Sequence, residues 1–325
     1  MWIRSRLGRL LLIAGAVVAA ALLVPWGVSR LLRSPIVSLQ LDHVDAPGAR
    51  RPDGELRVGT YNIAHGRGLS SSNWTGESER DRRARLLAIG ELLARSDLDV
   101  VVLNEVDFDA PWSHGIDQAQ VIARAAGYPY VVEVPNLDVR VGPVLYRFGN
   151  ALLSRYPLVD ASVVDLPAFS LLETFLAGKK RGLAVTVETP DGPVRLVGVH
   201  LSHRSEAVRV ASARHLIALA RGCPLPVIIA GDMNSTPSTF PRAQLDDADR
   251  NAMDVLRATG RWRRRPLATP RANELTFHSA RPTRVIDWIL VPRPWTVEAY
   301  EVLDTDLSDH LPVVANVGME RPSTR

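Results

Sequence analysis

The sequence predicts an α/β protein whose sheets contain both parallel and antiparallel strands. From residue 56 onward, strand-like and helix-like segments follow one another, but without the strict strand–helix–strand alternation of an all-parallel sheet. Polar residues recur directly after buried apolar runs, as where Asn104 and Glu105 follow Asp99–Leu103. Among 325 residues, 46% are hydrophobic and 23% are charged, which is ordinary globular composition. This composition excludes a disordered chain, a collagen-like repeat and a coiled coil.

Cysteine content and charge exclude further classes. The single cysteine, Cys223, excludes an intramolecular disulfide framework and a thiolate zinc cluster. The net charge of +4 comes from residues 1–33, which hold five arginines and no acid and leave 34 basic against 35 acidic residues in the remainder. A broad basic surface for nucleic acid is therefore not favoured, although nucleic acid stays a possible partner.

Residues 1–33 are predicted to be a membrane anchor. Leu10–Val28 holds 19 residues without a charge, close to the roughly 20 that a helix needs to span hydrocarbon. A cleaved signal peptide is the alternative, but the small residues Ala19–Ala21 lie inside the apolar run rather than after it. Three arginines precede the run and two follow it, which favours a single-pass protein of the cell membrane with its remaining chain outside the cytoplasm.

The chain after the anchor divides into a linker, one large domain and a tail. Residues 34–55 contain prolines, aspartates and glycines and are predicted to be a linker, and residues 320–325 a short tail. The domain is predicted to cover residues 56–319. No internal repeat interrupts it.

Apolar runs bounded by turn residues predict the strands of this domain. The first reads LRVGTYNI, and two further runs, DVVVL and PVIIA, have the continuous apolar character of buried strands. The predicted strands are Leu56–Ile63, Asp99–Leu103, Tyr130–Val134, Asn150–Leu153, Gly182–Val187, Val194–Val199, Pro226–Ala230, Val285–Val291, Val297–Leu303 and Pro312–Val317.

Helices are predicted where apolar residues recur at helical spacing. Ser78-Glu79-Arg80-Asp81 is typical of a capping box and begins a helix that continues to about Arg95. Its apolar stripe includes Leu86, Ile89 and Leu93. Further helices are predicted over Ile116–Ala126 and Glu206–Ala220.

Eight polar residues that follow the apolar runs are candidates for one site. Side chains at strand ends are exposed at a sheet rim while their backbone is held rigid, so residues from distant segments can converge there. The set has four carboxylates, two carboxamides and two imidazoles, and such hard oxygen ligands without thiolates suit Mg²⁺, Mn²⁺ or Ca²⁺ rather than zinc. Phosphoester hydrolysis needs these groups to neutralise phosphate oxygens, activate water and donate protons. The eight are Asn62, Glu105, His200, Asp232, Asn234, Asp287, Asp309 and His310.

Each motif taken alone has a structural alternative. Gly231–Asn234 is also a turn sequence, Ser308–His310 also a loop or a cap, and His200 also a core histidine. Asp287 differs because it interrupts an apolar strand, where a buried charge is costly unless it is paired. A protonated imidazole such as that of His310 is a suitable partner.

In their order along the chain, these segments resemble the endonuclease/exonuclease/phosphatase superfamily. The resemblance covers about residues 56–317 and implies a DNase I-like fold, a four-layer α/β/β/α sandwich of two mixed sheets with one active site at the sheet rim. The motifs that carry it are TYNI (60–63), LNEV (103–106), GNALLS (149–154), VHLSHR (199–204), GDMNSTP (231–237), IDWIL (286–290) and SDHLPV (308–313).

The resemblance also implies a metal set. Glu105 is the principal ligand of Mg²⁺ (or Mn²⁺), Asn62 lies beside it in the metal and phosphate shell, and Asp309 adds a carboxylate near the metal. His65-Gly66 after TYNI and a second histidine, His203, are departures that suggest a bacterial branch without a settled substrate.

A catalytic set is implied as well. Asp232 positions or deprotonates the attacking water, and Asn234 holds that carboxylate and the phosphate. His200 hydrogen-bonds the scissile phosphate or assists the leaving oxygen. Asp287 orients His310, which contacts the phosphate.

The predicted function is that of a membrane-tethered, Mg²⁺-dependent phosphoesterase. It hydrolyses a phosphodiester or phosphomonoester that is membrane-proximal or lipid-linked, by direct attack of water. One alternative is an extracytoplasmic nuclease, to whose DNA or RNA binding Arg261–Arg265 would contribute unless that run is a solvated helix end. Another is an inactive binding module of the same fold. No protein partner is inferred, and the lack of a G-x-G-x-x-G turn after the first strand disfavours a dinucleotide-dependent oxidoreductase.

Overall fold

The computed structural model describes residues 2–32, 34–42, 44, 54–141, 143–171, 174 and 178–319. Two mixed β-sheets form its centre, and most of the helices lie outside them. The α-helices named below are α1 (Trp2–Leu32), α2 (Glu79–Arg95), α3 (Gln118–Ala126), α4 (Glu206–Gly222) and α5 (Ala252–Ala258).

The first sheet has seven strands in the order β1-β4-β5-β3-β2-β13-β12. Its β2 and β3 pair in parallel, and the other neighbours pair antiparallel. The strands are β1 (Val37–Gln40), β2 (Glu55–Asn62), β3 (Val100–Asp109), β4 (Tyr130–Val141), β5 (Val144–Ser154), β12 (Thr296–Val302) and β13 (Val313–Gly318).

The second sheet has six strands in the order β10-β11-β9-β8-β7-β6. Here β8 and β9 are the parallel pair, with α4 between them in sequence, as α2 lies between β2 and β3. The strands are β6 (Leu158–Asp165), β7 (Arg181–Thr189), β8 (Gly192–His200), β9 (Val227–Asp232), β10 (Trp262–Arg263) and β11 (Asp287–Pro292).

Three apolar layers hold these elements together. The inner layer joins the two sheets and includes Val58 of the first sheet and Val185 of the second. One outer layer packs Leu86 of α2 and Ile122 of α3 on the first sheet. The other packs α4 and α5 on the second sheet, with Leu216 among its residues. The layers form the α/β/β/α sandwich that the resemblance implies, so the predicted mixed-sheet α/β class is confirmed.

The structure contains elements that the sequence does not predict. β1 lies in the predicted linker, where alternate residues of Val37–Gln40 are half-buried against β4. β6 is an edge strand whose pairing shifts between Val159 and Ser162, which interrupts the alternation of inward and outward residues. α5 has only seven residues, too few for a helical period to stand out.

The N-terminal segment forms α1 as a continuous helix. Where their exposure is described, its aliphatic side chains face solvent, as Leu12 (74%) and Val24 (60%) do. Among the described residues, no helix has both the length and the apolarity that a membrane crossing requires. The predicted transmembrane helix is therefore not found in that part of the chain.

Candidate active site

Two rows of polar residues cross neighbouring strands of the two sheets. In the first sheet, Asn62 of β2 is in register with Asn104 of β3, which in turn is in register with Asn150 of β5. In the second sheet, His200 of β8 is in register with Asp232 of β9, and Asp232 with Asp287 of β11. Each row is rigid because its members share a hydrogen-bonded ladder.

Hydrogen bonds join the two rows across the sandwich. The Asp232 backbone N–H donates to Oδ1 of Asn104 (2.9 Å), and Nδ2 of Asn62 donates to Oδ2 of Asp232 (3.1 Å). Asn104 is held in turn by donating to Oδ1 of Asn150 (2.8 Å). Asn104 therefore fixes one sheet against the other at the site.

Glu105 reaches the site through a β-bulge. The pairing of β3 with β5 shifts between Asn104 and Val106, and Glu105 has a φ of +51° there. A bulge re-aims one side chain without ending the strand, and left-handed backbone at a non-glycine residue is typical of functional positions. The Glu105 carboxylate accepts from Nδ2 of Asn62 at 3.2 Å. Burial alone would raise the pKa of Glu105, but the positive charges of His65 and Arg67 hold it far below its usual range, so the carboxylate is charged.

Asp232 is held by amide groups on both oxygens. Asn234 donates its backbone N–H to Oδ1 (2.8 Å) and its Nδ2 to Oδ2 (3.1 Å). The backbone of Asn234 is left-handed, with a φ of +49°. Burial and the nearby Asp287 raise the pKa of Asp232 to about 7, although His310 opposes the shift. A carboxylate with such a pKa can accept a proton from water near neutral pH.

His310 forms an ion pair with the buried Asp287. Nδ1 of His310 lies 3.0 Å from Oδ2 of Asp287, and its Nε2 lies 3.8 Å from Oδ2 of Asp232. Burial opposes protonation, but the carboxylates of Asp287 and Asp232 raise the pKa of His310 to about 10. Ligand atoms of Asp232, Asp287 and His310 all lie within 4.8 Å of one another. Because Nδ1 of His310 is already paired with the Asp287 carboxylate, we interpret this cluster as a proton-donating unit.

His200 is a neutral imidazole on the other side of Asp232. Its Nε2 lies 3.6 Å from Oδ2 of Asp232 and 3.9 Å from Oε1 of Glu105. Burial, followed by the charge of Lys180, lowers the pKa of His200 to about 3. His200 therefore adds a hydrogen-bonding group without adding a charge.

Glu105 and Asp309 are the two carboxylates of the predicted metal set. Both carboxylates bind one guanidinium, that of Arg67, at 3.3 and 3.1 Å. Carboxylate oxygens are ligands that a hard cation prefers. Arg67 now neutralises both carboxylates, and Asn62 presents its Nδ2 to Glu105 while its Oδ1 accepts from the Ala64 backbone N–H at 3.0 Å. The two carboxylates thus suit such a cation by their chemistry, and the cation would replace Arg67 as their positive partner.

The structure brings all eight predicted residues together and adds others. Asn104 and Arg67 were not predicted: Asn104 reads only as the residue before Glu105, and Arg67 as one of many arginines. His65 also belongs to the site, because its Nε2 lies 3.6 Å from Glu105 and its Nδ1 lies 2.7 Å from Asp107. The signal that could have found His65 is its place two residues after the TYNI motif.

The arginine-rich run Arg261–Arg265 lies away from this site. Its Trp262 and Arg263 form β10, so the run is not a helix end as one interpretation expected. Trp262 pairs with Pro292 at the far end of β11, whereas Asp287 begins that strand. Five strand residues span roughly 16 Å, which separates the run from the catalytic groups.

Comparison with known proteins gives a family and a set of similar structures. Residues 59–310 match the sequence model of the Endonuclease/Exonuclease/phosphatase family. None of the curated proteins matches significantly. An endonuclease/exonuclease/phosphatase from Beutenbergia cavernae is 25% identical, with a TM-score of 0.59 over 83% of this chain and 73% of that one.

Two more distant structures share the fold. The mannosyl-6-phosphatase of Bacteroides thetaiotaomicron is 18% identical, with a TM-score of 0.56 over 81% of this chain and 99% of that one. The human Nocturnin catalytic domain with bound sulfate is 19% identical, with a TM-score of 0.57 over 89% of this chain and 100% of that one.

Proposed function

The chain belongs to the endonuclease/exonuclease/phosphatase family, and from this membership we propose that it is a Mg²⁺- (or Mn²⁺-) dependent phosphoesterase that uses water directly as the nucleophile. The proposal rests on two neighbouring pairs of carboxylates, each of which holds a positive group. Glu105 and Asp309 share one positive centre, while Asp232 and Asp287 flank a protonated His310.

The roles follow from the charge state of each group. Asp232, with its raised pKa and its oxygens fixed by Asn62 and Asn234, accepts the proton of the attacking water. His310, kept protonated by Asp287, donates to a phosphate oxygen. His200 is neutral and completes the hydrogen bonds around the phosphate.

Asn62, Glu105 and Asp309 would hold the cation. When bound, it supplies positive charge that offsets the negative charge on the phosphate oxygens. Both oxygens of Asp232 are held by hydrogen bonds from Asn62 and Asn234, which favours acceptance of a proton over direct attack on phosphorus, so water is proposed as the attacking species.

We also propose that α1 keeps the domain at a membrane, outside the cytoplasm, and that the substrate is membrane-proximal or lipid-linked. The support is the uncharged run Leu10–Val28 and the solvent-facing aliphatic side chains of α1. Flotation of the full chain with phospholipid vesicles tests the proposal. A chain that stays in the soluble fraction would contradict it.

A substrate panel with Mg²⁺ tests the activity. The panel contains sphingomyelin, lipid pyrophosphates, inositol phosphates, plasmid DNA and a chromogenic phosphodiester. Hydrolysis of at least one ester that stops with EDTA supports the proposal. Rapid nicking of plasmid without cleavage of any lipid would favour the nuclease alternative over the lipid-linked substrate.

A further inference from the structure

We propose that an aromatic wall beside the catalytic site binds an aromatic ring in the alcohol part of the substrate, so that a nucleotide, free near the membrane or lipid-linked, is a preferred substrate class. The aromatic wall consists of Trp74, Trp112, Tyr146 and Phe148. The inference rests on the proposed phosphoesterase function and adds to it the part of the substrate that lies beyond the phosphate.

The wall is a continuous set of ring contacts. Trp112 is its centre: its ring centroid lies 5.4 Å from that of Trp74, and 5.7 Å from those of Tyr146 and Phe148. Tyr146 and Phe148 lie two residues apart on β5 and therefore project from the same face of the strand. The rings form one surface rather than scattered apolar residues.

His65 connects the wall to the catalytic groups. Its ring centroid lies 5.4 Å from that of Phe148 and 6.2 Å from that of Trp112. On its other side, Nε2 of His65 lies 3.6 Å from the Glu105 carboxylate. The wall thus begins one imidazole ring away from a predicted metal ligand, so a phosphate at the catalytic groups and a base on the wall can belong to one small ligand.

Buried hydrogen bonds hold the wall in position. Oδ2 of Asp107 accepts from Nε1 of Trp112 at 2.8 Å, and Oδ1 of the same carboxylate contacts Nδ1 of His65 at 2.7 Å. Asp107 has no exposed surface. A buried carboxylate therefore fixes both the centre of the wall and the histidine next to the site.

Trp74 gives the wall a face that is open to solvent. Its residue is 65% exposed, whereas Trp112, Tyr146 and Phe148 are half-buried. The loop that leads to Trp74 is held by Arg67, which donates to Ser70 O at 2.8 Å and to Oδ1 of Asn73 at 3.3 Å. An exposed tryptophan on a loop held next to a site is a ready stacking surface, because every base has a flat face that stacks on indole.

The charge of the molecule favours a small ligand. A polynucleotide needs many phosphate contacts by basic groups, and the chain after residue 33 has 34 basic against 35 acidic residues. A nucleotide needs one phosphate site and one stacking surface. Both are present here at neighbouring positions.

Two matched substrate pairs test the proposal in the full chain with Mg²⁺. The first is adenosine 5′-monophosphate against ribose 5-phosphate, and the second is the methyl ester of each. The reacting alcohol is the same within a pair, so only the base differs. We expect kcat/KM to be about 5- to 150-fold higher for the adenosine compound, and this ratio to fall toward one in Trp74→Ala.

Two further variants and a binding measurement distinguish binding of the base by the aromatic wall from hydrolysis by the catalytic groups. Trp74→Phe should keep most of the preference, and Leu267→Ala, which removes an apolar side chain of equal exposure (65%), should leave it unchanged. Calorimetric titration with adenosine 5′-monophosphate and ribose 5-phosphate in EDTA gives a readout that does not need turnover.

The outcomes are distinct. Equal kcat/KM values within both pairs, and the same values in Trp74→Ala, would contradict binding of the base by the aromatic wall. This result would leave the phosphoesterase proposal intact. Base-selective binding that is lost in Trp74→Ala, without hydrolysis of any ester, would overturn the proposed function and support the wall. A preference for phosphocholine over adenosine 5′-monophosphate that depends on Trp74 would overturn the assignment to an aromatic ring, because aromatic faces also bind quaternary ammonium groups.

Discussion

Oδ2 of Asp287 lies 3.0 Å from Nδ1 of His310, and both side chains are buried where β11 begins. Asp287 interrupts an apolar strand, so the cost of burying its charge is offset by this partner. The pair keeps a positive charge on the side of His310 that faces Asp232.

Replacing Asp287 by asparagine should remove the charge that keeps His310 protonated. We expect the pKa of His310 to fall toward its ordinary value and kcat to fall on the order of 10²- to 10⁴-fold. Histidine NMR titration measures the first effect and steady-state kinetics the second. The exposed Asp306→Asn is the control for a carboxylate lost nearby. An unchanged His310 pKa in Asp287→Asn would refute this account of the pair.

Asp232→Asn keeps the size of the side chain and removes the proton acceptor. We expect kcat to decrease on the order of 10²- to 10⁴-fold with little change in substrate affinity. Asn234→Ala, which removes one of the two hydrogen bonds from Asn234 to that carboxylate, should have a smaller effect in the same direction. Full turnover by Asp232→Asn would show that another group activates the water.

Removal of divalent cations by EDTA should abolish activity, and Mg²⁺ or Mn²⁺ should restore it. Glu105→Gln should raise the Mg²⁺ concentration needed for half-maximal activity, because an amide is a weaker ligand than a carboxylate. Glu301→Gln, at a side chain that is 60% exposed, is the control. Activity that persists in EDTA would remove the metal from the proposal.

Gly231→Ala should destabilise the junction of β8 and β9. A Cβ at Gly231 would lie 1.9 Å from the Val199 carbonyl oxygen, and the backbone there has a φ of +143°. Gly192→Ala is the matched control, because its φ is +117° but a Cβ there meets nothing within 4 Å. Thermal unfolding should show a larger loss for Gly231→Ala than for Gly192→Ala. Equal losses would mean that backbone strain, not the close approach, sets the requirement for glycine.

A buried acid outside the site gives a prediction on pH and stability. Burial, followed by the neighbouring Asp117, raises the pKa of Glu133 to about 8, although Arg147, 3.0 Å away, opposes the shift. Since the folded state then holds a proton that the unfolded state has lost, this group stabilises the fold below the unfolded pKa, and that contribution is lost as the pH rises to about 8. Urea unfolding at a series of pH values should show the decline, and Glu133→Gln should reduce it. An identical decline in both proteins would assign it to other groups.

The sequence is sufficient to predict the elements that combine long apolar runs with clear boundaries. α2 begins where its cap predicts, with Ser78 Oγ accepting from the Asp81 backbone N–H at 3.2 Å. β9 and β11 stand out because their residues are buried on both faces. β1 and β6 are not predicted, because they are edge strands whose residues are half-exposed. In β6, a bulge also interrupts the alternation of inward and outward side chains.

The candidate site is predictable in its residue types but not in its cross-sheet contacts. Motifs at strand ends suffice to select Glu105 and Asp232, because charges after apolar runs are conspicuous. Asn104 escapes because its hydrogen bond goes to a residue 128 positions away on the other sheet. The contact between Trp74 and Trp112 cannot be predicted from the sequence, because the two residues belong to separate connecting segments that meet only in the folded chain.

The polar rows that form the site belong to separate sheets, and the apolar layer between the sheets, together with the hydrogen bonds of Asn62 and Asn104 to Asp232, sets how far apart they stand. Residues of the inner layer such as Val102 and Ile228 thus help to set the distance between the catalytic groups, although they lie between the sheets rather than in the site. A displacement of about 1 Å in a reacting group can lower a rate about 100-fold. Substitutions that overpack the inner apolar layer, or that leave a cavity in it, should therefore lower the turnover rate before they unfold the protein.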